Sequence, residues 1–138
     1  TEAAYLLGEE CHLSGYDKAY VESTARKLHA LGAKNVVITG VGFKDDELGI
    51  CIYNGERDSF EYYFHERIGQ SFHGTGDIFS SAFTGAVLNG KSYYEASIIA
   101  ANFVKQSIAL TMKEKDEHWY GVEFELLLPK YIKDLDLI

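Results

Sequence analysis

Gly74-Thr75-Gly76-Asp77 leads directly into a run of small and apolar residues that continues through residues 78–88. Two glycines let the backbone turn tightly, and a helix that begins there directs several N–H groups and the positive end of its dipole to one place. This pattern predicts a binding site for an anion, or for negative charge that develops in a transition state. The alternative is an ordinary glycine-rich turn before a core helix, and the spacing alone leaves both open.

Asp77 adds a reactive group to this loop. A carboxylate beside a cradle of backbone amides can accept the proton of an attacking hydroxyl while the amides hold phosphoryl oxygens. The simpler interpretation is a helix cap, but a cap does not require two preceding glycines. The loop is not a Walker A motif, because no Gly-Lys-Ser/Thr follows, and it lacks the third glycine of a dinucleotide-binding fingerprint.

The segments before the loop predict an α/β arrangement. Residues 17–31 carry apolar side chains at spacings of three and four, and Gly32 follows as a helix C-cap. Residues 35–39 are mostly β-branched, which is typical of a strand covered on both faces and therefore of a parallel sheet. The other expected elements are a helix over 1–10, strands over 47–53 and 59–64 forming an edge hairpin at Asn54-Gly55, a helix over 78–88, a helix opened by a capping box at Ser92 and Glu95, a polar loop over 115–120, and a short helix over 124–135 bent at Pro129.

Composition excludes several classes of protein. The 138 residues are 46% hydrophobic and carry a net charge of −8, which argues against a disordered tail and against a binder of nucleic acid or anionic membranes. No apolar run approaches the roughly 20 residues of a membrane helix, and no signal peptide is visible. The two cysteines, Cys11 and Cys51, favour free thiols in a reducing cytoplasm, and the five histidines have no metal-ligand spacing.

With these features in place, His73-Gly74-Thr75-Gly76-Asp77 and the small-residue helix after it resemble the signature of the ribokinase-like superfamily, and within it the vitamin B6 kinases. Thr1-Glu2-Ala3 resembles the end of the family's Asn-x-x-Glu segment, whose Asn would precede Thr1. The stretches at residues 36–40 and 120–125 resemble the strand near the ATP phosphates and the Gly-Val-x-Phe-Glu stretch of bacterial members. The resemblance implies a mostly parallel central sheet flanked by helices, with residues 1–138 forming the C-terminal part of one kinase domain.

The resemblance also implies roles for individual residues. Asp77 would be the general base that activates a primary alcohol of pyridoxal, pyridoxamine or pyridoxine, and ATP would be the phosphoryl donor. Mg²⁺ would be ordered by a carboxylate, largely through water, and a need for K⁺ is left open. The implied residues are Gly74, Thr75 and Gly76 for the anion hole, Glu2 for the metal, and Thr39, Val41, Phe43 and Asn102 for the nucleotide.

Two departures bear on the substrate. Ser71 and Phe72 stand where ribokinase-type sugar kinases carry Asp-Thr, which weakens the sugar-kinase interpretation. The hydroxymethylpyrimidine kinases of thiamine synthesis also resemble the loop but usually carry Cys where this chain has Asp77, so the aspartate favours vitamin B6. A hydroxymethylpyrimidine kinase and a non-catalytic nucleotide-binding module remain the alternatives.

The same resemblance gives expectations for the whole protein. Ribokinase-like domains are about twice this length, and the missing half of a βαβ unit would lie upstream. We expect a cytoplasmic enzyme that is a homodimer at full length. We also expect residues 1–138 alone to be inactive and not to form a well-behaved monomer, because a strand would lack a neighbour.

Overall fold

The computed structural model describes residues 1–68, 72–113 and 121–138. Two compact units, Thr1–Arg67 and Ile68–Ile138, make up the chain. Ser71 and the polar loop expected over residues 115–120 lie outside the described residues. Among the helices of the described ranges, none is long and apolar enough to cross a membrane.

The first unit combines two helices with a three-stranded sheet. In chain order its elements are α1 (Glu2–Leu7), α2 (Lys18–Ala30), β1 (Asn35–Val41), β2 (Glu47–Asn54) and β3 (Ser59–Glu66), and the sheet order is β1-β2-β3. The helix predicted over residues 17–31 is confirmed. The Asp17 side chain caps α2 by accepting a hydrogen bond from the Tyr20 amide at 2.9 Å, and Gly32 follows the helix with a φ of 118°.

The pairing of β1 differs from the expectation. Both strand pairs among the described residues are antiparallel, and in β1 only Val36 and Val41 are buried. The parallel partner and the two-sided burial predicted for β1 are therefore wrong for the part of the chain that the structure describes. A β-branched run favours a strand, but the direction of its neighbour depends on the next connection, and the short loop at residues 42–46 returns the chain as a hairpin.

The hairpin of β2 and β3 is confirmed at the predicted place. Asn54 ends β2, and its side-chain oxygen accepts a hydrogen bond from the Arg57 amide at 3.1 Å. Asp58 has a φ of 46° and accepts hydrogen bonds from Arg26 and from the Tyr53 hydroxyl, each at 2.9 Å. These donors lower the pKa of the Asp58 carboxyl. The hydrogen bonds stabilise an unusual backbone conformation and tie the turn to α2.

The second unit is helical. It contains α3 (Thr75–Leu88), α4 (Tyr93–Lys113), a 3₁₀ turn (Glu125–Leu127) and α5 (Leu128–Asp134). Ala82 clusters with Ala100, and Ala86 clusters with Ala96, so α3 and α4 run antiparallel with small residues at their contact. Pro129 lies in the first turn of α5, as the expected restart requires.

Hydroxyl groups organise α4. The capping box is confirmed: the Ser92 amide and hydroxyl donate to the Glu95 carboxylate at 2.9 and 2.8 Å, which lowers the pKa of Glu95. Within the helix, Ser97, Ser107 and Thr111 are buried, and each hydroxyl donates to the carbonyl four residues earlier. Their polar groups are therefore satisfied inside the core.

Candidate functional site

The glycine-rich loop of the second unit ends at the beginning of α3. Gly74 is the N-cap residue with a φ of 82°, and Thr75 is the first helical residue. Among the described residues, no acceptor takes a hydrogen bond from the backbone amides of residues 74–77. These N–H groups belong to the helix end, where backbone donors have no intrahelical acceptor, and their use as an anion cradle stays a prediction.

Asp77 is the third residue of α3 and is exposed. Within the described ranges its carboxylate has no hydrogen bond or ion pair, so it does not act as a conventional side-chain cap. Thr75 differs, because its hydroxyl donates to the Phe72 carbonyl at 3.2 Å and thus closes the loop. The Asp77 carboxylate and the amides of residues 74–77 thus lie at the same helix end, while their roles as base and anion hole stay predictions.

Gly74 and Gly76 differ in what they require. Gly74 has the positive φ that favours glycine, whereas Gly76 does not. A Cβ atom on Gly76 would meet no heavy atom of the described residues within 4 Å. Neither backbone strain nor packing against the described residues therefore demands glycine at position 76.

The C-terminal segment lies against the loop. Gly121 has a φ of 149°, and a Cβ atom there would lie 3.5 Å from the His73 carbonyl oxygen. The Glu123 amide donates to the Thr111 hydroxyl at 2.9 Å, which fixes the segment to α4. The stretch quoted from residue 120 onward is thus placed beside the loop from Gly121, while Tyr120 lies outside the described residues. Nothing in the sequence marked Thr111 as the anchor.

Asn102 is half-buried on α4, and it interacts with other described residues. The next residue, Phe103, faces the core of the unit, where it meets Phe124 and Tyr131. A contact between Asn102 and a nucleotide remains a prediction.

The first unit contains a cavity of about 300 Å³. Its wall includes Glu2 from α1 and Thr39 from the end of β1, so the predicted metal-site and phosphate-site residues share one cavity. The Glu2 side chain is 96% exposed, and Thr39 is also exposed. Among the described residues, the Thr39 hydroxyl has no hydrogen-bond partner. Cys11, His12 and Tyr16 also line this space, and no sequence pattern marked them as site residues.

Val41 and Phe43 serve mainly in packing. Val41 is only 2% exposed and clusters with Val21 and Cys51, and the burial raises the pKa of the Cys51 thiol to about 11. Phe43 lies edge-on to Tyr16 and Phe64, at ring distances of 6.2 and 5.8 Å. Their predicted contact with a nucleotide stays a prediction, and the core accounts for both residue types.

The metal prediction depends on one carboxylate. Within the described ranges, no group of three or more His, Cys, Asp or Glu residues could hold a metal ion. Mg²⁺ commonly binds through one or two carboxylates together with phosphates and water. Glu2 at an open cavity fits that donor set.

Residues 1–121 match the model of the phosphomethylpyrimidine kinase family. The chain belongs to this family. Together with the pyridoxine kinase relative and the solved structure described next, the match confirms the α/β class and the resemblance to vitamin B6 kinases of the ribokinase-like superfamily.

The proteins that this chain resembles are kinases of two different kinds of substrate. Over 108 residues the chain is 36% identical to a pyridoxine kinase of Bacillus subtilis, covering 74% of this chain and 39% of the relative. Over 112 residues it is 30% identical to a hydroxymethylpyrimidine/phosphomethylpyrimidine kinase of Aquifex aeolicus, covering 81% and 42%. A candidate phosphomethylpyrimidine kinase of Bacteroides thetaiotaomicron, crystallised with pyridoxal, superimposes with a TM-score of 0.81 at 28% identity, covering 98% and 46%. The chain spans less than half the length of each of these three proteins.

Proposed function

We propose that the protein carrying this chain transfers the γ-phosphoryl group of ATP to the primary hydroxyl of a vitamin B6 vitamer and forms its 5′-phosphate. The observation that carries the proposal is Asp77, an exposed carboxylate in the first turn of α3. Within residues 1–68, 72–113 and 121–138 it has no partner, and the neighbouring amides of residues 74–77 have no acceptor. The family supports a phosphotransferase, and the pyridoxine kinase relative supports the choice of alcohol.

Asp77 is the base of the proposed reaction. Its carboxylate accepts the proton of the substrate hydroxyl as that oxygen attacks the γ-phosphorus. The bond from the γ-phosphorus to the bridging oxygen breaks, and ADP leaves with the electron pair. The amides of residues 74–77, together with the positive end of the α3 dipole, stabilise the equatorial oxygens of the transferring group.

Residues of the first unit serve the nucleotide in this proposal. The open hydroxyl of Thr39 donates to a phosphate oxygen of ATP. Glu2 would hold Mg²⁺, which supplies charge neutralisation for the phosphates when bound. A net charge of −8 leaves backbone amides and the metal as the main source of attraction for ATP, because the chain offers no general excess of basic groups.

Phosphorylation of hydroxymethylpyrimidine is the second candidate. The 30% identity to the Aquifex aeolicus kinase and the family match favour it. The proton transfer to Asp77 is the same for both alcohols, and the preference for vitamin B6 rests on the identity of Asp77 and on the pyridoxine kinase relative. Assays with both alcohols separate the two substrates.

The test uses the intact protein with ATP, Mg²⁺ and, separately, pyridoxal, pyridoxine, pyridoxamine and hydroxymethylpyrimidine, with products identified by mass spectrometry. We expect a vitamin B6 5′-phosphate. Asp77→Asn keeps the shape of the side chain but removes the base, so turnover should fall by roughly 10²–10⁴-fold while ADP binding, measured by calorimetry, persists.

Asp45→Asn is the matched control, because Asp45 is an exposed carboxylate in the loop between β1 and β2. It should keep wild-type turnover. Phosphorylation of hydroxymethylpyrimidine alone would replace the first candidate by the second. ADP binding without phosphorylation of any alcohol would indicate a non-catalytic nucleotide-binding module, and full activity of Asp77→Asn would refute the assigned base.

A further inference from the structure

The end of β1 contains an irregularity beside Thr39. Thr39 pairs with Ile50 and Val41 pairs with Gly49, so Gly40 is an extra residue between them. Gly40 has a φ of 72°, as expected for a glycine bulge. Because of the bulge, Val41 returns to the cluster with Val21 and Cys51 that Ile38 also packs against. Ile38 and Val41 thus both pack toward this cluster, with Val41 fully buried, while Thr39 lies at the wall of the cavity.

One side chain spans this bulge. The Tyr16 hydroxyl donates to the Gly40 carbonyl at 3.3 Å and accepts from the Gly42 amide at 3.1 Å. The same oxygen therefore joins the two peptide groups on either side of Val41. Tyr16 precedes α2 by two residues, so the contact crosses from the turn before the helix to the end of the strand.

Aromatic packing sets the place of the Tyr16 ring. Its centroid lies 5.9 Å from that of Tyr20 and 6.2 Å from that of Phe43, and it is also half-buried at the cavity. A ring held by two neighbours loses little further freedom when its hydroxyl bonds the backbone. The hydroxyl can therefore hold the bulge in one conformation at small entropic cost.

We propose that Tyr16 is a positioning residue for nucleotide binding, which acts by fixing the Gly40 bulge and thereby holding Thr39 at the cavity. The proposal rests on the proposed function of Thr39 as a donor to ATP. Tyr16 itself contacts the backbone and has no part in the chemistry. Loss of the Tyr16 hydroxyl should weaken nucleotide binding and leave binding of the alcohol substrate unchanged.

The first test compares Tyr16→Phe with the wild type in the intact protein. Phenylalanine retains the ring but loses both hydrogen bonds. We expect a roughly three- to tenfold rise in KM for ATP and in the dissociation constant of ADP·Mg²⁺ measured by calorimetry, with an unchanged KM for the alcohol. Tyr5→Phe is the matched control, since it removes the same atom from a side chain that is 80% exposed on α1, and it should change neither constant.

The second test is a double-mutant cycle with Thr39→Val, which removes the hydroxyl and preserves the β-branched shape. If Tyr16 acts through Thr39, the two substitutions should be non-additive, and Tyr16→Phe should weaken ADP·Mg²⁺ binding less than about twofold in the Thr39→Val background. Additive effects would show that Tyr16 acts elsewhere and would overturn the proposal.

Calorimetry separates this inference from the proposed function, because it requires no turnover. A protein that binds ADP·Mg²⁺ but phosphorylates no alcohol would refute the function and still allow the cycle to be measured. Wild-type nucleotide affinity in Tyr16→Phe, equal rises in KM for ATP and for the alcohol, or absence of nucleotide binding in the wild type would each overturn the role of Tyr16.

Discussion

The Tyr131 hydroxyl of α5 donates a hydrogen bond to the Ala82 carbonyl of α3 at 2.7 Å. The same oxygen occupies the position that a Cβ atom on Gly85 would need, whereas the ring carbon that carries it would lie 3.6 Å from that atom. Burial also raises the pKa of Tyr131, so the hydroxyl keeps its proton and remains a donor. Gly85 thus makes room for a single atom of the docked helix.

This contact predicts that the effect of Gly85→Ala on the free energy of unfolding depends on residue 131 and has opposite signs with Tyr131 and with phenylalanine there. In the wild type, the clash with the Tyr131 hydroxyl should cost about 1–3 kcal/mol, which exceeds the gain of at most about 1 kcal/mol from helix propensity. In a Tyr131→Phe background the clash is absent, and Gly85→Ala should stabilise the protein. Urea unfolding of the four variants measures both effects, and an equal cost in the two backgrounds would contradict the assigned clash.

Substitutions of the two loop glycines should distinguish effects on stability from effects on activity. Gly76→Ala meets no backbone strain and no neighbouring atom of the described residues, so the melting temperature should stay the same or rise. In the proposed site, however, its methyl group would compete with the phosphoryl oxygens for space beside the amides, so turnover should fall at least tenfold. In Gly74→Ala the alanine must adopt a φ of 82°, so this substitution should lower the free energy of unfolding by roughly 1 kcal/mol in addition to lowering turnover. Thermal melts and steady-state kinetics on the same samples test this. Full turnover in Gly76→Ala would show that the amides are not used.

The capping box at α4 should contribute measurably to stability. Ser92→Ala removes the hydroxyl that bonds both Glu95 and its amide, and we expect a loss of about 1 kcal/mol in denaturant unfolding. The pKa of Glu95 is lowered, so its contribution is present above the ordinary glutamate pKa of about 4.3 and is lost as the pH falls through the lower folded-state value. Ser23→Ala, at an exposed position within α2, is the control and should be neutral or slightly stabilising. Equal effects of the two substitutions would argue against the cap.

The two cysteines should differ in reactivity. Cys51 is fully buried and its pKa is raised to about 11, whereas Cys11 is partly exposed at the cavity. A thiol reagent at pH 8 should label Cys11 in the native protein and Cys51 only after unfolding, as peptide mass spectrometry can resolve.

The Cys51 thiol should also make stability depend on pH. Because its folded-state pKa lies above its ordinary value near 9, its contribution to the free energy of unfolding is complete below pH 9 and declines as the pH rises to about 11. Cys51→Ala should remove that part of the decline, and rapid native labelling of Cys51 would contradict its burial.

Local signals predicted most of the elements. Asp17 and Gly32 mark the ends of α2, Ser92 and Glu95 mark the start of α4, and Asn54 marks the hairpin, because capping and turn preferences act within a few residues. The direction of the partner of β1 was not predictable in this way. Strand pairing depends on residues distant in the chain, and a β-branched run is compatible with either direction.

In the candidate site, too, the features set by local sequence were predictable, and the contacts between distant residues were not. The helix start at Thr75 and the placement of Asp77 in its first turn follow from the glycine-rich loop, which is a local signal. The bond from the Glu123 amide to Thr111 and the bridge from Tyr16 across Gly40 join residues more than ten positions apart. Threonine within a helix and tyrosine before a helix are both common, so neither contact could be predicted from the sequence.

The amides of residues 74–77, which have no acceptor within the described part of the chain, have a practical consequence for the study of this family. Hydrogen exchange slows when an amide gains an acceptor, since the amide must then open before its proton leaves. Deuterium uptake in a peptide that covers this loop should therefore be fast in the free protein and slower when phosphate groups occupy the helix end. Exchange at these few positions would report occupancy for every nucleotide or phosphorylated compound, including ones that the protein binds without turnover.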